Sequence, residues 1–130
     1  MSTDLIDSNL IIYAAQPKHK KLPAYVAAEA PAVSVVSKVE TLGYHRLDRD
    51  EQAFLEDFFD AALVLPVSQN VIEEAIRLRQ KHSMALGDAL IAGTAISHGL
   101  RVATHNTDDF DWIDDLEVFD PLSSSTLDYE

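Results

Sequence analysis

Short apolar runs alternate along this chain with longer stretches in which apolar residues recur every three or four positions, a pattern that predicts an α/β domain. Leu5-Ile6, Val33-Ser34-Val35-Val36, Leu63-Val64-Leu65-Pro66, Arg101-Val102-Ala103-Thr104 and Val118-Phe119 are the expected strands, the second favoured by its β-branched residues. Between them, Ser8 to Ala15 reads as a helix closed by Gln16-Pro17, because proline disfavours helical geometry in the residue before it. Tyr25 to Glu29 reads as a short helix, and Ser37 opens another that runs to about His45 or Leu47. Asp50 to Ala61 carries Phe54, Leu55, Phe58 and Phe59 at helical spacing. Ser68 is the expected N-cap of a helix to Lys81, and Gly87 to His98 forms a further helix ended by Gly99. Strands separated by helices imply one domain with a mainly parallel central sheet of about five strands and helices on both faces.

In such sheets, ligands collect beyond the carboxyl ends of the strands, where the strand order reverses. Four acids fall in such places. Asp7 follows Leu5-Ile6, Glu40 follows the Val33 to Val36 run, Asp88 interrupts an otherwise apolar segment from Met84 to Ile96, and Asp109 follows Arg101 to Thr104. Each has a purely structural reading as well. Asp7-Ser8-Asn9 is a good helix start, Ser37 with Glu40 matches a capping box, and Thr104 to Asp109 could be a polar loop. Asp88 resists that explanation most. A first-turn acid gains about 0.3–1 kcal/mol from the helix dipole, which is small beside the cost of burying an unpaired charge. Carboxylates that converge require a cation, protons or basic side chains to offset their repulsion.

Composition narrows the options. With 130 residues the chain is the size of a single domain, and the absence of cysteine excludes disulfide scaffolding, Cys-ligated zinc and thiol catalysis. The amino terminus lacks the basic and apolar regions of a signal peptide, and no apolar run approaches a membrane span, so a soluble cytoplasmic protein is expected. Asp and Glu number 22 against 10 Lys and Arg, for a formal net charge of −12. Such a field serves solubility, and it repels nucleic acid unless a local basic track or bound metal holds the phosphates. Lys18-His19-Lys20-Lys21 and the group Arg77, Arg79, Lys81 and His82 are the two basic clusters, each either solvated surface or an RNA track. Phe54, Phe58 and Phe59 are expected as core or dimer contacts, and Trp112 as a plug beneath the acidic loop.

Taken in order, Leu5-Ile6-Asp7-Ser8-Asn9, Ser34-Val35-Val36-Ser37-Lys38-Val39-Glu40, Asp88-Ala89-Leu90-Ile91-Ala92 and Thr104-His105-Asn106-Thr107-Asp108-Asp109-Phe110 resemble the motifs of PIN domains, particularly the VapC-type toxin ribonucleases of toxin–antitoxin pairs. The resemblance runs from Leu5 to about Pro121 and implies a PIN-like nuclease domain over residues 1–122 followed by a polar tail, 123–130. It implies that Asp7, Glu40, Asp88 and Asp109 are catalytic and bind Mg²⁺ or Mn²⁺, with Ser8, Thr104 and Asn106 in support. Asp108 competes with Asp109 for the fourth place, although Asp109-Phe110 matches the family's Asp-Phe pair better. Lys18, Lys20, Lys21 and His105 are the candidate RNA contacts, with a plain surface histidine as the alternative for His105. The resemblance also implies a homodimer and a small antitoxin that inserts an arginine or lysine into the acidic pocket.

Carboxylates suit such a cation, because magnesium takes a few of them, keeps several waters and leaves room for a substrate phosphate. The expected reaction is metal-dependent hydrolysis of RNA without a covalent intermediate. Two other functions compete. A receiver-type phosphoacceptor domain needs paired acids after the first strand and a late lysine, whereas the last lysine here is Lys81. A PIN-like fold without catalysis, acting as a binding scaffold, is the other.

Overall fold

The computed structural model describes residues 3–16 and 20–123, so Lys18 and all of the expected tail except Ser123 lie outside the described residues. Among the described residues, five short strands carry the frame: β1 (Asp4–Ile6), β2 (Val33–Ser34), β3 (Val64–Leu65), β4 (Arg101–Ala103) and β5 (Val118–Phe119). All pairings are parallel, in one group ordered β1-β4-β5 and another ordered β2-β3. A parallel bridge between Leu5 and Ala32 joins the groups, with Ile6 N–H donating to the Ala32 carbonyl at 3.0 Å and Ala32 N–H to the Asp4 carbonyl at 2.9 Å. The surface therefore reads β5-β4-β1-β2-β3 across.

Six α-helices fill the crossovers among the described residues: α1 (Ser8–Ala14), α2 (Lys21–Glu29), α3 (Val35–Leu42), α4 (Arg49–Ala61), α5 (Gln69–Lys81) and α6 (Leu86–His98). Side chains alternate across a strand, and Leu5 and Ile6 accordingly enter different cores. Leu5 and Val102 pack with Leu78 of α5 and Ile91, Ala92 and Ala95 of α6. Ile6, Val33 and Ala103 pack with Leu10 and Ile11 of α1, Tyr25 of α2, and Leu55 and Phe59 of α4. Helices thus cover both faces, as the pattern predicts.

Ser68 caps α5 by accepting from Val71 N–H at 3.3 Å, and Gly99 ends α6 in the left-handed region at φ 65°. Helix α4 begins one residue earlier than expected, behind a full capping box between Asp48 and Glu51.

The second expected strand needs correction. Only Val33 and Ser34 are extended, which is all that pairing with Val64 and Leu65 uses. The Ser34 hydroxyl then accepts from Val36 N–H at 3.0 Å and starts α3, so Val35 and Val36 are helical despite their β-branched side chains. Ser37 consequently lies inside the helix, the Ser37–Glu40 capping box does not form, and Glu40 stands on the second turn. Helix α3 stops at Leu42, with Gly43 behind it, short of His45.

The amino end of the sheet holds an ionic group that the sequence reading missed. Asp4, 1% exposed, accepts from Arg101 at 2.7 Å and from the Tyr25 hydroxyl at 2.7 Å. The Arg101 guanidinium also lies 4.1 Å above the Phe119 ring and reaches Glu117 at 3.4 Å.

Candidate functional site

At the opposite end of the sheet, β1 has β4 on one side and β2 on the other, so the chain reverses its direction of travel across the sheet there. Asp7 leaves β1 at this switch point. It is the N-cap of α1, with Oδ1 accepting from Leu10 N–H at 2.9 Å. Its Oδ2 accepts from the Thr104 hydroxyl, at 2.5 Å, from the residue that follows β4. Capping and site geometry coexist here, since the cap bond fixes the direction of the carboxylate.

Burial pushes the Asp7 carboxyl up from 3.8 to about 6. The bonds from Thr104 and Leu10 pull it down, and the charges of Asp88 and Asp109 raise it further. Asp88, half-buried on the first turn of α6, is also raised, first by burial and then by the charges of Asp109 and Glu40. Asp7 thus feels Asp88 and Asp109, and Asp88 feels Asp109 and Glu40, which links the four acids electrostatically. Asp109, at the end of a single 3-10 turn (Thr107–Asp109), raises both Asp7 and Asp88, whereas Asp108 is not among the charges acting on either.

Ser8 steadies Glu40. Its hydroxyl donates to Glu40 Oε1 at 2.6 Å and shares a hydrogen bond with the Ser37 hydroxyl at 2.9 Å. Ser37 is fully buried, and the sequence marked it only as a helix cap. Thr104 is buried and, besides binding Asp7, accepts from the Asn106 backbone N–H at 3.0 Å. The Asn106 side chain forms no cap on the turn it precedes.

Of the expected RNA contacts, Lys18 lies outside the described residues. Lys20 and Lys21 are exposed at the start of α2. The His105 ring is bonded to Asp120 at 2.9 Å and meets Tyr13 edge-on. In the second basic cluster, Arg77 is held by Glu74 and Asp115 at 3.1 Å each, and Arg79 bonds the Met84 carbonyl at 3.2 Å. Trp112 stacks on His82 with ring centroids 4.5 Å apart, and its indole N–H donates to the Asp109 carbonyl at 3.1 Å. It thereby steadies the acidic turn from its side, while also packing on the core formed with α5 and α6.

Carboxylate oxygens, without cysteine or histidine, make a donor set suited to a hard cation. Among the described residues, however, no three Asp, Glu or His side chains converge closely enough to form a ready metal cage. The fit is therefore one of charge and donor type, to an ion that keeps much of its own water.

A PIN-domain family model matches residues 5–116. Among solved structures, the chain is similar to a toxin–antitoxin complex from Klebsiella pneumoniae, at 25% identity and a TM-score of 0.69 over 91% of this chain and 97% of that one. It is similar to FitAcB from Neisseria gonorrhoeae at 25% identity and a TM-score of 0.73, again over 91% and 97%. The fold also follows that of DNA-bound VapBC from Salmonella typhimurium, with a TM-score of 0.79 and 21% identity over 93% of this chain and 99% of that one. No curated protein matches the chain.

Proposed function

The chain belongs to the PIN-domain family, and from that premise we propose that it is a metal-dependent endoribonuclease, the toxin half of a toxin–antitoxin pair. The observation that carries this reading is the group of mutually repelling acids at the switch point, with Asp7 pushed up to about 6 by burial and its acidic neighbours. A fold retains such repulsion where a ligand relieves it. Residues 1–122 would form the nuclease unit and 123–130 an appended tail.

Asp7, Glu40, Asp88 and Asp109 would hold Mg²⁺ or Mn²⁺. When bound, that ion supplies an activated water and stabilises charge on the phosphodiester oxygens. Thr104 and Leu10 N–H keep the Asp7 carboxylate aimed, and Ser8 does the same for Glu40. His105, exposed on the loop after β4, would meet the substrate, with Lys18, Lys20 and Lys21 as further contacts, and Asn106 would support the site.

Two apolar surfaces support the proposed partners. A cavity of about 500 Å³ between α5 and α6 is lined by Ile72, Ile76, Leu86 and Leu90, and Ile76 and Leu86 are 53% and 59% exposed. This face would form the homodimer, and Ile76→Asp should convert a dimer to monomer by light scattering. A larger cavity, about 760 Å³, runs between α2 and α4, lined by Val26, Phe54, Phe58 and Leu63. It would receive an apolar segment of the antitoxin, whose basic residue would enter the acidic site.

A binding scaffold without catalysis is the second reading, favoured by the absence of a ready metal cage among the described residues. Labelled RNA with Mn²⁺ or EDTA, tested on the wild type, Asp7→Asn and Asp88→Asn, separates the two. The nuclease reading expects Mn²⁺-dependent cleavage by the wild type and a loss of about 100-fold or more in each variant. Equal cleavage by all three proteins would sink it, and lack of Mn²⁺ binding by the wild type would favour the scaffold.

A further inference from the structure

The residue immediately before Asp88 is Gly87, and the space its missing side chain leaves is filled by Glu40. A Cβ at Gly87 would lie 2.5 Å from Glu40 Oε2, 3.2 Å from its Cδ and 3.3 Å from Oε1. Apart from the flanking residues, the three atoms nearest this Cβ position among the described residues all belong to Glu40. On the opposite side, the Ser8 hydroxyl holds Glu40 Oε1 at 2.6 Å. The carboxylate is thus clasped between the first residue of α1 and the first turn of α6, although Glu40 itself belongs to α3.

Backbone geometry gives no reason for this glycine. Gly99 is the glycine with positive φ among the described residues, so Gly87 occupies a conformation open to alanine. Within a helix alanine is favoured over glycine. What glycine provides at this position is room. The atom in the way is the far end of a flexible side chain rather than backbone, so a methyl group there would swing the Glu40 carboxylate aside and leave the helices in place.

We propose that Gly87 is a positioning residue, a notch in α6 that lets the Glu40 carboxylate stand beside Asp88. This rests on the reading of the four acids as the metal-binding group of a nuclease. The consequence is an unusual pairing of effects: filling the notch should make the protein more stable and less active.

The test is Gly87→Ala, read in two ways. In the metal-free protein, the carboxyl-carbon NMR signal of Glu40 and the amide signal of Ser8 should move, while the melting temperature holds or rises. By calorimetry with Mn²⁺ alone, affinity should fall by about tenfold or more, the usual effect of disturbing the support of a ligand. In a Glu40→Ala background, Gly87→Ala should have no further effect on Mn²⁺ affinity, because no carboxylate remains to displace. Glu40→Asp, one methylene shorter, should recover part of the affinity lost in Gly87→Ala. Unmoved Glu40 and Ser8 signals, or an equal loss of Mn²⁺ affinity with and without Glu40, would overturn the proposal. If the wild type binds no Mn²⁺ yet the signals still move, the notch stands and the metal-nuclease reading fails.

Discussion

Asp7 concentrates the conflict between stability and function in one side chain. Its carboxyl is raised from 3.8 to about 6, so the folded state holds the proton more tightly than the unfolded chain. For such a group, stability is greatest below the unfolded value and falls as pH rises from about 4 to 6, which is opposite to the behaviour of a salt-bridged aspartate. At neutral pH the ionised Asp7 then costs on the order of 3 kcal/mol, with about 1.4 kcal/mol for each tenfold change. Asp7→Asn should therefore raise the melting temperature of the metal-free protein at pH 7.5, and raise it less at pH 5.5. Added Mn²⁺ should stabilise the wild type at pH 7.5 and leave Asp7→Asn unchanged, as followed by thermal melts. A lower melting temperature for Asp7→Asn at both pH values would show that its two accepted hydrogen bonds outweigh the charge. The acids themselves were legible in the sequence because charges beside apolar runs are conspicuous. Ser37 was not legible as a neighbour of Ser8, since that contact spans 29 residues and depends on how α1 meets α3.

At the scale of elements, long amphipathic patterns and caps translated well. Helices α5 and α6 carry strong local signals in Ser68 and Gly99, and their bounds lie within a residue of expectation. Helix α3 shows where a local signal misleads, because Ser37 reads as the cap in sequence whereas Ser34, placed in the expected strand, is the one that caps. Ser34 wins because β2 ends after the two residues that β3 can pair, leaving its hydroxyl free to start the helix. Ser34→Ala should lower stability by about 1 kcal/mol, measured by urea unfolding, the ordinary cost of a lost cap. Gly93 offers a contrast with Gly87 in the same helix. A Cβ there would lie 2.8 Å from the Val71 carbonyl oxygen and 3.3 Å from Ala75 N, both backbone atoms of α5 that cannot swing away. Gly93→Ala should thus force the two helices apart and cost about 1–3 kcal/mol in the same measurement.

Across the whole molecule, the two ends of the sheet treat buried acid in opposite ways. At the amino end, Asp4 is satisfied by Arg101 and Tyr25, whereas at the carboxyl end the charges that act on Asp7 are those of two other acids, Asp88 and Asp109. Arg101→Met should take from buried Asp4 its cationic partner, leaving the hydroxyls of Tyr25 and Thr3, and destabilise the fold by about 2–4 kcal/mol, less than a fully buried pair because Arg101 is partly exposed. The pairing of Asp4 with Tyr25 and Arg101 was not legible in the sequence because those two partners stand 21 and 97 residues away. The Asp7–Thr104 bond also spans 97 residues. During synthesis the amino terminus emerges first, so Asp7 and Glu40 exist long before Asp88, Thr104 and Asp109 follow. Strand β4, which lies between β1 and β5 in the sheet, comes equally late. A chain interrupted before Arg101 therefore lacks both the strand that seats Asp7 and the last acid of the group. Whatever chemistry the site performs is withheld until Asp109 has been added, which leaves copies interrupted before it inert by construction.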